Sequence, residues 1–365
     1  MPGGWIKKIL LVESGSFKAV GGALIDTYNM YLAFRKAGYD VDIFADLSRV
    51  SKSAKPVTMQ QIYEKKYDFV LINSIRDVPI ALVYRYRKGK GTKFLYVDRG
   101  NVLVNFRNAG NKKLLPKMLL RYAYSQLMKG LLDHYVAITA EQYAYAREFF
   151  RGRKTKLHYI NIAPHKEYRK IRIKKNYRGA LYVGRLDERQ KKLNFLIHGI
   201  ARVITNHPEL AKKELLRIVG TGPDEKHYRE LAKALQLDRN IKFLGFLREE
   251  KLVRAYNNAG FFVCTSEWES PGRVFLEAMA CGLPVMINTS NNSLVTMDPD
   301  EKLISDGDNG VVYRHCNVDD FANRFYRLYT DKEFRDALAS NAYSYVKKFN
   351  FDNVMKKYRR IVDFG

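Results

Sequence analysis

Two carboxylates with seven residues between them flank the point where a polar loop becomes an apolar helix. They are Glu269 and Glu277 in the stretch from Phe261 to Asn288, FFVCTSEWESPGRVFLEAMACGLPVMIN. Backbone N–H groups of Gly272, Arg273 and Val274 would stand at the start of that helix. Unpaired donors and the positive end of the helix dipole coincide there, which suits an anion such as phosphate. Glu277 falls among Val274, Phe275, Ala278 and Met279, whose simplest role is core packing. A carboxylate on such a face needs a polar partner. The elements that position these groups are short. An apolar strand spans Phe261 to Thr265, a polar loop Ser266 to Pro271, and a helix runs from about Gly272 to Cys281. Gly282 caps it, Pro284 blocks its continuation, and Val285 to Ile287 starts another strand.

The E-x7-E spacing followed by AMACGLPV resembles the donor-binding motif of family-4 glycosyltransferases, which are retaining enzymes of the GT-B fold. Three further blocks resemble that family in the expected order: GRLDERQKKLNFLIHGI, LLRIVGTGPD and NIKFLGFL. The likeness is close over 180–345 and weak over 1–165. It implies an α/β chain of two Rossmann-like, doubly wound domains facing across a cleft. It places Arg185 and Lys191 on a donor diphosphate, with Lys191 preferred to Lys192 by the position of LIHGI. It gives Glu277 the ribose hydroxyls, Glu269 the donor sugar, and Gly272, Arg273 and Val274 backbone contacts to phosphate. Gly220, in the GTG strand-to-helix turn, could offer a backbone contact to the donor, and Phe246 and Leu247 would border its base, although core packing is the other reading of both and is preferred for Phe246. Two fixed cations and helix N–H groups neutralise a departing diphosphate without a metal. The resemblance therefore implies no cofactor and no metal, only a nucleotide sugar as substrate, with a UDP-sugar favoured over a GDP-sugar.

The N-terminal half begins with a buried-strand pattern, Lys7 to Glu13, then the loop SGSFKAVGG and a helix with Ala23, Leu24, Thr27, Tyr28, Tyr31, Leu32 and Phe34 on one face. Val41 to Ala45 is the next strand, giving a Rossmann-like unit. The loop lacks a full dinucleotide fingerprint. Gly21 and Gly22 make either a simple tight turn or, by the resemblance, the loop that faces the diphosphate. Asp68 to Asn73 and Lys93 to Val97 are further strands. Where the family commonly has a histidine after the second of these, this chain has Asp98, read either as a turn residue before Gly100 or as an acceptor-side polar group. We set the domains at 1–165 and 166–345, with 346–365 crossing back to the first.

Length and an apolar content of 46% suit two cores, and the net charge of +26 suits a polyanionic surface or substrate, or serves solubility alone. Residues 111–130 alternate Lys and Arg with Leu and Met, as a membrane-surface helix or an ordinary packing helix with a basic face would. The three cysteines, Cys264, Cys281 and Cys316, show no metal spacing and read as reduced thiols in or near the core. With no signal-peptide pattern and no run of membrane-spanning length, a cytoplasmic location is expected, with peripheral attachment to the membrane as an option. The partners expected are a nucleotide sugar, a glycan or lipid-linked acceptor and an anionic membrane surface. An epimerase of the same fold and a basic nucleic-acid-binding protein are the competing readings. No nucleic-acid motif is present, and free nucleotide released without an acceptor would single out the epimerase.

Overall fold

The computed structural model describes residues 6–14, 22–48, 50, 55–88, 90–99, 123, 126–164, 167–171, 177, 179–247, 249–267, 269, 272–290, 296–298 and 301–365. The chain divides into two compact units, Met1–Asn161 with Asp352–Gly365, and Ile162–Phe351.

The first unit is built on six strands: β1 (Lys8–Glu13), β2 (Asp40–Ala45), β3 (Phe69–Ile72), β4 (Lys93–Asp98), β5 (His134–Ala137) and β6 (Lys156–Tyr159). They lie in the order β2-β1-β3-β4-β5-β6, and every pairing is parallel. Parallel strands are covered on both faces, so they read as continuous apolar runs. FVLI of β3 and HYVA of β5 are buried at every position. Helices Gly22–Lys36, Val78–Lys88 and Ala140–Phe149 join the strands. The order reverses between β1 and β3, and in such sheets the ligand crevice lies beyond the strand carboxyl ends at that point.

The second unit holds β7 (Ala180–Val183), β8 (Leu216–Val219), β9 (Ile241–Gly245), β10 (Phe261–Val263), β11 (Val285–Asn288), a small antiparallel hairpin of β12 (Thr296–Asp298) and β13 (Glu301–Lys302), and β14 (Gly310–Tyr313). The main sheet runs β14-β11-β10-β7-β8-β9, again all parallel. Counted within the unit this is the Rossmann order, with its reversal between β7 and β10. Leu196, Ile200, Val203, Phe321 and Phe325, from helices Leu193–Asn206 and Val318–Thr330, fill one apolar cluster. Val253, Tyr256, Phe275, Leu276 and Met279, from helices Glu249–Asn258 and Arg273–Ala280, fill another. No helix among the described residues is long and apolar enough to cross a membrane.

Several expectations need correction. Asp98 is not a turn residue: it ends β4 paired with Ala137 and is fully buried. Tyr135 faces Tyr96 across the ladder, so its hydroxyl reaches two residues along and donates to Asp98 Oδ2 at 2.5 Å. Cys264 and Cys281 are buried, but Cys316 is exposed, because it follows β14 at a turn where its backbone φ is +55. Phe246 is 48% exposed rather than core, since β9 is the edge strand and the chain leaves it there. Leu32 is likewise exposed on its helix. The basic segment 111–130 lies largely outside the described residues.

Beside the β6 edge, His134 Nδ1 lies 3.0 Å from His158 Nε2. Burial and the neighbouring imidazole hold His134 down at about 4. A histidine whose folded value lies below its unfolded one stabilises the fold above the unfolded pKa of 6.5 and loses that contribution as pH falls toward 4. Urea unfolding should therefore show a stability that declines from pH 6.5 to pH 4 and whose decline shrinks in His134→Phe.

Candidate functional site

Arg185, Asp187 and Lys191 follow β7, and Glu269 follows β10, the two strands at the reversal. After β7 the chain passes through Gly184, Arg185 and Leu186 into a short helix, Glu188–Lys191, whose first turn is capped by the Asp187 carboxylate accepting from Arg189 N–H at 3.2 Å. Lys192 then takes a left-handed conformation, φ +52, and redirects the chain into helix Leu193–Asn206. That kink turns Lys191 toward the loop after β10. Its ammonium forms an ion pair with Glu269. Both side chains are withdrawn from solvent, at 14% and 10% exposure. Ser266 Oγ donates to the same Glu269 oxygen at 2.7 Å.

Backbone and side-chain bonds hold this loop in place. Thr265 Oγ donates to the Lys191 carbonyl at 2.9 Å, Glu267 N–H donates to the Gln190 carbonyl at 2.7 Å, and Asn288 Nδ2 donates to the Ser266 carbonyl at 2.9 Å. Three strand ends are thus tied together around Glu269. The polar residues Thr265 and Ser266 are buried for this reason.

Helix Arg273–Ala280 follows the loop. Gly272 is its N-cap, and no side chain caps it. Glu277 sits one turn in and is buried. The Tyr256 hydroxyl donates to its Oε2 at 3.0 Å. Burial, then the Glu277 charge, pushes the Tyr256 phenol far above its usual range, so it stays a donor at all physiological pH. Burial and the same charge also raise Tyr168.

Arg185 differs from the other charged groups. Its side chain is 61% exposed, and Asp187 is 3.9 Å away, a loose surface pair. Its cation is therefore available to an incoming anion at little cost in broken contacts. Leu247 is partly buried against the Tyr256 cluster. Gly220 has a structural role that needs no ligand: it sits at φ +133, and a Cβ there would collide with the Gly184 carbonyl. Gly220→Ala should cost about 1–3 kcal/mol from its backbone conformation alone, with the clash adding to this, and a lowered urea midpoint would register it. Gly22 and Asp98 belong to the other unit, Gly22 as the first residue of helix Gly22–Lys36. Gly21 lies outside the described residues.

The structure thus brings Lys191 to Glu269, sets Glu277 behind them on the next helix, and leaves Arg185 in solvent. Sequence reasoning missed Tyr256 and Ser266. A buried tyrosine on the amphipathic helix Glu249–Asn258 was the available signal, since its hydroxyl must find an acceptor. Chemically, a fixed cation–carboxylate pair, an exposed and loosely paired cation and a helix start without a side-chain cap suit a polyhydroxylated anion.

Two doubly wound parallel sheets with this arrangement at the second reversal define the class as GT-B. Over 98% of this chain and all of the other, the fold superposes on sucrose-phosphate synthase from Thermosynechococcus elongatus with a TM-score of 0.74 at 18% identity. It superposes on Anabaena HepE, solved in complex with UDP-glucose, with a TM-score of 0.70 at 18% identity over 98% of this chain and 99% of that one. Residues 165–345 match the model of the family described as glycosyl transferases group 1. An uncharacterized glycosyltransferase of Methanocaldococcus jannaschii is 29% identical over 190 residues, 52% of this chain and 45% of that protein. The chain spans less than half the length of the curated relatives it matches.

Proposed function

We propose that the protein is a metal-independent, retaining family-4 glycosyltransferase. It would move a sugar from a nucleotide sugar to a hydroxyl of a glycan or lipid-linked acceptor. The observation that carries this reading is the convergence of Lys191, Glu269 and the Glu277-bearing helix at the β7–β10 reversal. Arg185, Lys191 and the backbone at Gly272, Arg273 and Val274 neutralise the diphosphate, so that charge arising on the leaving group meets fixed partners. Glu277 takes the ribose hydroxyls and Glu269 a hydroxyl of the donor sugar. Leu247 would border the base and the Gly220 backbone would contact the donor, while Gly21 and Gly22 would face the diphosphate and Asp98 would serve the acceptor side.

In the transfer the bond from the anomeric carbon to the phosphate oxygen breaks, and a bond to the acceptor oxygen forms on the same face. The acceptor proton passes to the departing phosphate, so no side-chain base is needed. UDP-sugars are favoured over GDP-sugars, since a protein of this fold was captured with UDP-glucose. The charge of +26 suits an acceptor presented at an anionic membrane surface from the cytoplasmic side.

Arg185 supplies the test, because its exposure frees it from the fold. Arg185→Ala should keep its melting temperature and lose about a hundredfold or more in transfer from the preferred donor of a nucleotide-sugar panel. Transfer near the parental rate would overturn the site assignment.

A further inference from the structure

The N-terminal unit contains a cavity of about 480 Å3 between the β6 edge and helix Phe351–Phe364. Its charged side chains are basic, and Gly365 also lines it. Lys156, Lys357 and Arg360 line it together with His134 and His158, and no carboxylate side chain does. Among the described residues none of these three cations forms an ion pair, and all three are exposed. Elsewhere in the same unit cations find carboxylates: Lys65 pairs with Asp42, and Arg99 with Asp26.

The two imidazoles occupy one face of the sheet. His134 opens β5 opposite Lys156, and His158 stands two residues further along β6 on the same side. They share a single hydrogen bond, so one ring nitrogen must donate and the other accept. Burial, with Lys156 beside it, disfavours a proton on His158. The remaining wall is apolar. Ile361 is buried, while Phe364 stands 83% exposed at the rim.

We propose that this cavity is a second anion site that binds a phosphate group. Lys357 and Arg360, one helical turn apart, grip the phosphate oxygens. Lys156 and the imidazole pair close the other side, with Phe364 at the rim. The cavity belongs to the β6 edge, away from the β1–β3 reversal, and shares no residue with the Lys191–Glu269 site.

The test uses the full chain and its Lys357→Ala/Arg360→Ala variant, whose exposed positions leave the fold intact. Titrations with dioctanoyl phosphatidic acid and with inorganic phosphate distinguish the two sources of the group. Tenfold or more tighter binding of the lipid, weakened by Phe364→Ser, identifies a lipid headgroup, and equal affinity with mutual competition identifies free phosphate. Either result supports the site, provided that affinity falls at least tenfold in the double variant while UDP binding holds. No binding of either probe, or equal binding by variant and parent, overturns it. A loss of UDP binding in the parent would instead count against the proposed function and leave this site standing.

Discussion

Lys191→Ala is expected to lose about a hundred- to a thousandfold in sugar transfer and at the same time about 3–5 kcal/mol of stability. Both losses have one origin. Lys191 and Glu269 are a largely desolvated pair, and removing the cation takes the opposite charge away from a carboxylate with little access to water. Ser266 still donates to it, but one neutral hydroxyl does not replace an ammonium. The two losses can be separated. In Lys191→Met/Glu269→Gln neither member carries charge, and swaps of this kind for a buried pair are often neutral in stability. The double variant should therefore regain most of the lost stability in urea unfolding and none of the transfer. Recovery of transfer along with stability would mean that the pair only holds the loop.

Glu277→Ala is expected to weaken nucleotide-sugar binding by about 10- to 100-fold, since a hydrogen bond to a charged group contributes about 1.5–3 kcal/mol. It also strands the buried Tyr256 hydroxyl, at a cost of about 1–3 kcal/mol. Tyr256→Phe separates these effects. If Glu277 serves only as the acceptor for Tyr256, both variants lose stability and neither loses affinity. If it grips the ribose, Glu277→Ala loses affinity and Tyr256→Phe keeps most of it. Calorimetric titration with the preferred donor, beside urea melts, decides between them.

Much of this arrangement was legible in the residues. Helix Arg273–Ala280 was readable because Gly272, Gly282 and Pro284 bracket an apolar face, and the parallel strands because burial on both sides leaves unbroken runs such as KILLVE. The side-chain partners were harder to see. Glu277 finds Tyr256, twenty-one residues upstream, through a contact that only the packing of two helices creates. Asp98 looked like a turn residue because Gly100 follows it, yet the β4–β5 register carries it under Tyr135. Phe246 looked like core because its type is apolar, and the edge position of β9 decided otherwise. The His134 cavity carries no motif, since its cations come from a strand and a helix about two hundred residues apart in the chain.

Helix Phe351–Phe364 buries Met355, Tyr358, Ile361 and Val362, and Lys7 and Tyr39 bind its last turn. It belongs to the N-terminal unit although the whole of residues 162–351 is made first. At roughly 5–20 residues per second, the nascent first sheet waits about 10 to 40 s for this last helix. During biosynthesis that interval is an opening for chaperones, and the C-terminal unit, continuous in sequence, is free to finish folding before its elder neighbour.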